Sequence, residues 1–179
     1  MKFNELNEKQ QAKVLDMYRY AETGSSDWYS EIKSDFHEEL EAAGFNNVDS
    51  QFSGFCVQGD GASFTSEDIN VKEVLTHLGK YQYYAQNHGS YVIDNMTAEI
   101  VRNDSHYVHE YTMSINIVEG DDVSEVKKEI LEYARNKCRE YYKKLNEESD
   151  RLESDESVKE YIEANDIEFD VKKENVTYI

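Results

Sequence analysis

Two stretches hold residue types that chemistry uses. The first is "FCVQGDGASF", residues 55 to 64, where Asp60 stands between Gly59 and Gly61 and close to an aromatic residue and a cysteine. The second holds His106, His109 and Glu110, with Asp94 and Glu99 shortly before them. A glycine loop that cradles phosphate needs a following lysine, as in GxxxxGK[ST], or a third glycine, as in GxGxxG, and neither is present. A calcium loop with Gly61 at its sixth position would put Cys56 and Gln58 at the first and third, where carboxylates belong. Only Asp60 and Glu67 would fit. The stretch therefore reads as a structural turn between two strands, Gly59-Asp60-Gly61, whose glycines supply backbone freedom. Asp60 either bonds the turn's own amides or is held out toward a partner.

His106 and His109 stand three residues apart, which on a strand points them to opposite faces, so they cannot chelate one ion without a bulge. Zinc would need two further ligands, from Cys56 or His88. An acid–base cluster of His109, Glu110 and Asp60, or a metal nuclease site drawing on Asp94, Glu99 and Glu110, would depend on proximity that spacing does not give. No catalytic residue, metal site or cofactor is assigned, and the protein is not read as an enzyme.

The elements around these stretches follow from periodicity. Residues 7 to 22 carry Val14, Met17, Tyr18 and Ala21 at helical spacing, with Asn7 as cap. A helix from Asp27 puts Trp28, Ile32, Phe36, Leu40 and Ala43 on one stripe and stops at Gly44. "VDSQFSGFCVQ" and "ASFTS" read as strands on either side of the glycine turn. Ser66 is expected to open a third helix running to about Asn87, with Val71, Val74, Leu75, Leu78 and Tyr81 facing the core. Residues 91 to 118 read as a long hairpin around "NDS", with Tyr107, His109, Tyr111, Met113 and Ile115 on one face. A capping box of Asp122 and Glu125 starts the longest helix, whose buried stripe is Val126, Ile130, Tyr133, Ala134, Tyr141 and Leu145. "SDES" at 154 starts a short helix, and "IEFDV" and "VTYI" follow as extended pieces. The fold class is α+β: a small antiparallel sheet of three to four strands against four to five helices, in a single domain over residues 1–179.

Charge is the strongest compositional signal. The 179 residues include 38 acids and 19 bases, for a net charge of −19. One acidic group contains Glu31, Asp35, Glu38 and Glu39; a second contains Glu147, Glu148, Asp150, Glu153, Asp155, Glu156, Glu160 and Glu163. Bases gather at Lys127, Lys128, Arg135, Lys137, Arg139, Lys143 and Lys144. Such a field repels phosphate backbones and anionic membranes, so direct nucleic-acid and membrane binding are disfavoured and a basic protein partner is favoured. A solvated helix face accounts for charge runs without any partner. The net charge nevertheless lies well beyond the magnitude of about 2 to 8 that solubility asks of a small domain. Carboxylates along helices can imitate a row of phosphates and enter a basic nucleic-acid groove. No stretch reaches the roughly 18 apolar residues of a spanning helix, and "MKFNELNEKQ" lacks the apolar run of a secretory signal, so a cytoplasmic protein is expected. Cys56 and Cys138 are expected to be reduced and mostly buried. The tyrosine-rich hairpin and the long helix offer a face for a homodimer.

Four blocks, "FNELNEKQQAKVLDMYRY", "FSGFCVQGDGASF", "SHYVHEYTMSINI" and "SDESVKEYIEANDIEF", together resemble an uncharacterised family of acidic proteins found mainly in tailed-bacteriophage genomes, sometimes labelled antitoxin-like. The pieces that carry the resemblance best are Ser53-Gly54-Phe55, Gln58-Gly59-Asp60-Gly61-Ala62 and His109-Glu110-Tyr111. In that family an aromatic residue usually stands where this chain has Cys56. The resemblance implies phage origin and a role early in the conflict with the host, and it supplies no catalytic residues. The expected function is a phage accessory protein that binds and inhibits a host protein, a defence or nucleic-acid-handling complex with a basic surface, inside the host cytoplasm. An antitoxin-like neutraliser of a toxin, and a small metal-dependent enzyme or ion-binding protein, are the alternatives.

Overall fold

A computed structural model describes residues 1–25, 27–118, 123–172 and 175–178. Among these, the chain forms α1 (Glu8–Tyr18), α2 (Ser30–Ala42), β1 (Phe45–Phe52), β2 (Ala62–Asn70), α3 (Val71–His77), α4 (Tyr81–His88) and α5 (Ser90–Asp94). Then follow β3 (Thr97–Arg102), β4 (Met113–Val118), α6 (Ser124–Leu152), α7 (Asp155–Ala164), β5 (Phe169–Lys172) and β6 (Asn175–Tyr178). The fold is α+β. Contacts gather in two compact units: a terminal unit of Met1–Ser30 with Leu145–Ile179, and a central unit of Glu31–Lys144. No shift in composition marks either boundary, and the second falls inside the continuous helix α6.

The central unit is built on an antiparallel sheet in the order β1-β2-β3-β4. Phe36 on α2 and Tyr141 on α6 stack face to face with ring centroids 4.2 Å apart, and Phe64 on β2 meets Phe36 edge-on at 5.9 Å. Phe45 on β1 packs against Phe64 and against Tyr133 on α6. Phe36, Phe45, Phe64 and Tyr141 are buried. Burial of each such ring contributes about 1.5–3 kcal/mol, and each good aromatic pair adds about 0.5–1.5 kcal/mol. These contacts hold α2 and α6 against one face of the sheet. Its other face is polar, with Asn116 donating to Glu99 at 2.9 Å.

Local signals explain most element ends. The Asn7 side chain accepts from the Gln10 amide, and Gln10 reaches back to the Asn7 amide, both at 3.0 Å. Gly44, with φ of +100°, ends the α2 segment, and the Ser154 hydroxyl accepts from the Ser157 amide to start α7. The terminal unit buries Phe3, Leu6, Val14, Val158, Ile162 and Phe169 in one cluster.

The strand read over "VDSQFSGFCVQ" ends at Phe52, with Ser53 to Gln58 in the loop, and two larger expectations change. The helix foreseen from Ser66 to Asn87 does not exist as one element. Ser66 stays in β2, its hydroxyl donating to the Asn46 carbonyl at 2.6 Å, and a register shift between Ser66 and Ile69 carries the strand on to Asn70. Asn70 is the actual cap, accepting from the Glu73 amide at 3.1 Å. Gly79, with φ of +69°, then ends α3, and a new helix begins at Tyr81. The 91–118 hairpin is real but shorter. Residues 90 to 94 are helical, where Asp94 takes the Lys72 ammonium and the Tyr81 hydroxyl, and only Thr97–Arg102 pairs with Met113–Val118. Tyr107, His109 and Tyr111 therefore lie in the connecting loop, off the strand face. The capping box of Asp122 and Glu125 falls partly outside the described residues.

Candidate functional site

The structure brings together the two stretches singled out for chemistry. The loop from Ser53 to Gly61 and the loop from Asn103 to Thr112 pack against each other. The Ser53 hydroxyl accepts from the Gly61 amide at 3.1 Å and points its own proton at the Val108 carbonyl, 3.4 Å away. The Ser53 amide donates to the Gly61 carbonyl at 3.0 Å. A methyl group on Gly61 would lie 2.7 Å from the His109 Cβ and 2.9 Å from its Cα. Gly61 is required for this close approach. Gly59 has φ of +101°, and a methyl there would meet the Tyr107 ring at 2.6 Å. Behind the loops the Tyr142 hydroxyl donates to the Gly54 carbonyl at 2.8 Å, and the Phe55 and Tyr142 rings lie 5.2 Å apart.

The turn commits Asp60 inward. One carboxylate oxygen accepts from the amides of Cys56 and Val57, each at 2.9 Å. The Val57 amide first, joined by the Cys56 amide, outweighs partial burial and holds this carboxyl below the usual carboxylate range. His109 has a comparable role in its loop: its Nδ1 accepts from the Tyr111 amide at 3.2 Å, capping a 3-10 turn over Glu110–Thr112. Glu110 is paired with Arg139 Nε at 3.0 Å. Arg135 and Arg139 both lie over the Tyr111 ring, 5.3 and 5.9 Å from its centre. Asp60, His109 and Glu110 thus each hold backbone or a guanidinium in place. Among the described residues no group of three or more His, Cys, Asp or Glu is positioned to hold a metal ion.

Cys138 is buried, which pushes its thiol well above the ordinary range, whereas Cys56 is exposed, contrary to the expectation of two buried thiols. The loop pair exposes Val57, Tyr107 and Tyr111. Three contributors escaped the sequence reading. Ser53 bridges the loops, although it lies in the block that carries the resemblance. Arg139 clamps Glu110. The Met113 sulfur accepts from the buried Phe64 amide at 3.3 Å; nothing in composition or spacing announces a thioether in that role.

The acidic groups lie in different units. On α2 the buried residues Phe36 and Leu40 face inward, while Glu31, Asp35 and Glu38 follow one another at i, i+4 and i+7 on the exposed side. Glu39 turns to α6, with its oxygens 3.5 Å from Lys137 and 3.2 Å from Lys144. Partial burial pulls its carboxyl up, but the two ammonium groups win and its pKa falls below the ordinary value. The second group is more engaged. Glu148 pairs with Arg151, Asp155 with Arg19 and Glu163 with Lys159, while Glu153 accepts from Thr23 and Ser149. Asp150 accepts from Asn146 at 3.4 Å, and Glu147, Glu156 and Glu160 are exposed. The central unit holds 21 acids and 11 bases, net −10, and the terminal unit 17 and 8, net −9. Within the central unit, residues 124 to 144 carry 7 bases against 4 acids, so the bases concentrate on α6.

Fold and surface define an α+β protein that carries its distinctive sequence in two interlocked loops and its charge on helix faces. The family described as Domain of unknown function (DUF8835) matches residues 28–155, and the chain belongs to that family. The match contains the whole central unit with both loops and the α2 carboxylates, and it leaves out most of the terminal unit. No curated protein and no solved structure matches the chain. Among the described residues no helix is long and apolar enough to cross a membrane.

Proposed function

We propose that this is a binding protein, without catalytic activity, whose outer α2 face engages the basic surface of a partner protein. The observation that carries the reading is the row Glu31, Asp35 and Glu38, exposed on the side of α2 opposite the buried Phe36 and Leu40. Helical rise spaces the row at about 5 Å per charge. One strand of DNA presents a phosphate about every 3.4 Å along its axis, so the row is a thinner version of that pattern, and the exposed Glu41 adds one more carboxylate to the helix. A field of this sign steers a basic partner in and makes its binding sensitive to salt. The resemblance to acidic phage proteins supports a host protein as that partner, one that handles nucleic acid or serves in defence, which the carboxylate row would inhibit by occupying its nucleic-acid groove.

The test is affinity capture from infected host cells with the wild-type chain and with a Glu31→Lys, Asp35→Lys, Glu38→Lys variant, read by mass spectrometry. The proposal expects a basic protein that the wild type captures, that the variant does not, and that duplex DNA displaces. Equal capture by both chains would sink it.

A further inference from the structure

A groove of about 500 Å³ opens in the central unit between the α3–α4 turn and the first half of α6. Its size falls within the range of sites that take up a ligand or a side chain. One wall is aromatic: Tyr83 is 58% exposed, Tyr84 is buried, and their rings meet edge-on at 5.0 Å. Burial, together with the charges of Glu129 and Glu125, pushes the Tyr84 phenol above its ordinary pKa. The facing wall carries Glu125, Glu129 and Glu132 at i, i+4 and i+7 on α6. Gly79 forms an open rim, with nothing within 4 Å of the place a side chain would take. The groove already holds cations of the chain's own: Lys80 Nζ lies 2.6 Å from the Glu129 carboxylate, Lys128 lines the same wall, and Glu132 has Arg139 at 3.5 Å, which leaves Glu125 as the carboxylate at the open edge.

We infer that this groove receives an arginine side chain of a basic partner protein, with Lys80 standing in for it while the partner is away. This rests on the reading of a basic partner and adds a second point of contact, separate from the α2 row. An ammonium on a carboxylate fills little of about 500 Å³. A guanidinium suits the rest: it is flat enough to lie on a tyrosine ring and forked enough to take one carboxylate with two N–H groups. Glu125, exposed at the edge, adds a second carboxylate for the same cation. Lys80 competes with the incoming group, so its removal strengthens binding.

The probe is a blocked tri-arginine peptide titrated into the ¹⁵N-labelled full chain, with tri-citrulline as the uncharged peptide of the same shape. Saturable shifts are expected at Lys80, Tyr83, Glu125 and Glu129 with tri-arginine and none with tri-citrulline. Lys80→Ala should tighten binding by about threefold or more, and Glu129→Gln should weaken it about tenfold. Tyr83→Ala should weaken it about threefold. All three positions line an open groove, and the unbound spectra report whether each variant folds. Shifts spread over every acidic surface without saturation, or a Lys80→Ala chain that binds no better than wild type, would overturn the assignment. The α2 variant separates the two readings. Saturable groove binding beside capture that ignores α2 charge removes the α2 row alone. Capture that depends on α2 beside a groove that does not saturate removes the groove alone.

Discussion

The two interlocked loops and the outer face of α2 treat their polar atoms in opposite ways. In the loops, Asp60, Ser53, His109 and Glu110 turn toward backbone amides, a carbonyl or a guanidinium. On α2, Glu31, Asp35 and Glu38 face solvent. The first arrangement fixes a shape and leaves Val57, Tyr107 and Tyr111 outside. The second adds little to stability, since exposed charges interact weakly through water, but it projects a field. A change in the loops should therefore be felt as lost fold, and a change on α2 as lost partner.

The sharpest break of this contrast is Gly61→Val. The new Cβ would lie 2.7 Å from the His109 Cβ and 3.1 Å from the Val108 carbonyl, and backbone cannot swing aside as a side-chain tip can. A loss of roughly 2–4 kcal/mol is expected in urea unfolding. The α2 triple lysine variant should change stability by no more than about 0.5 kcal/mol per site, measured the same way. If the two variants were equally stable, the loops would not be a fixed element of the fold.

Met113→Leu sharpens the loop side. Leucine matches methionine in size but offers no acceptor, so the buried Phe64 amide would lose the sulfur 3.3 Å away and keep only the Cys138 thiol beside it. About 1–2 kcal/mol should be lost, more than a volume-conserving exchange costs on its own. A Met113→Leu chain as stable as wild type would show that the sulfur only fills space.

Asp60 and His37 separate by pH. Asp60 has its carboxyl depressed by the Val57 amide first, so its contribution is complete above the ordinary carboxylate value and is lost as pH falls through the lower folded value, below about pH 4. His37, whose Nε2 lies 2.8 Å from the Ser50 hydroxyl, is depressed chiefly by burial and then by Lys33. Its contribution is complete above about pH 6.5 and declines as pH falls below that. Unfolding measured from pH 8 to pH 3 should show the His37 loss first. The gap between wild type and Asp60→Asn should stay constant through that window and close only in the acid one. A gap that closes near pH 6 would mean that Asp60 does not hold the turn.

Helix ends and stripes were legible in the sequence because their causes are local: Asn7 and Ser154 cap, Gly44 stops, and Val126, Ile130, Ala134, Tyr141 and Leu145 recur at helical spacing and are all buried. The glycine turn between β1 and β2 was legible for the same reason. Ser66 misled because a hydroxyl before an apolar run resembles a helix cap, whereas its tertiary bond to Asn46 keeps it in a bulged strand. The strand alternation read through His109 and Tyr111 was likewise overridden by a cap bond two residues long. The meeting of the two loops was not legible at all. Ser53 and Val108 are 55 residues apart, and only the antiparallel order of the sheet brings their segments together. The division into two units was equally hidden, because α6 runs through the boundary without a break in its pattern.

The smallest expected effect tests where the α2 field ends. Glu39 differs from its neighbours Glu31, Asp35 and Glu38 in having Lys137 and Lys144 within 3.5 Å, while it remains 42% exposed. A pair this exposed contributes only a few tenths of a kcal/mol, and salt screens it. Glu39→Gln should therefore lower the unfolding midpoint barely, and less at high salt. It also takes the Glu39 partner from the Lys144 ammonium, while Lys137 keeps Glu140 at 2.7 Å. If the row acts on its partner through its summed field, Glu39→Gln should weaken capture about as much as Glu38→Gln does, because each removes one negative charge. If the partner reads Glu31, Asp35 and Glu38 by direct contact, Glu39→Gln should leave capture nearly unchanged while Glu38→Gln lowers it. Capture measured at two salt concentrations for these two single variants distinguishes a steering field from a contact row.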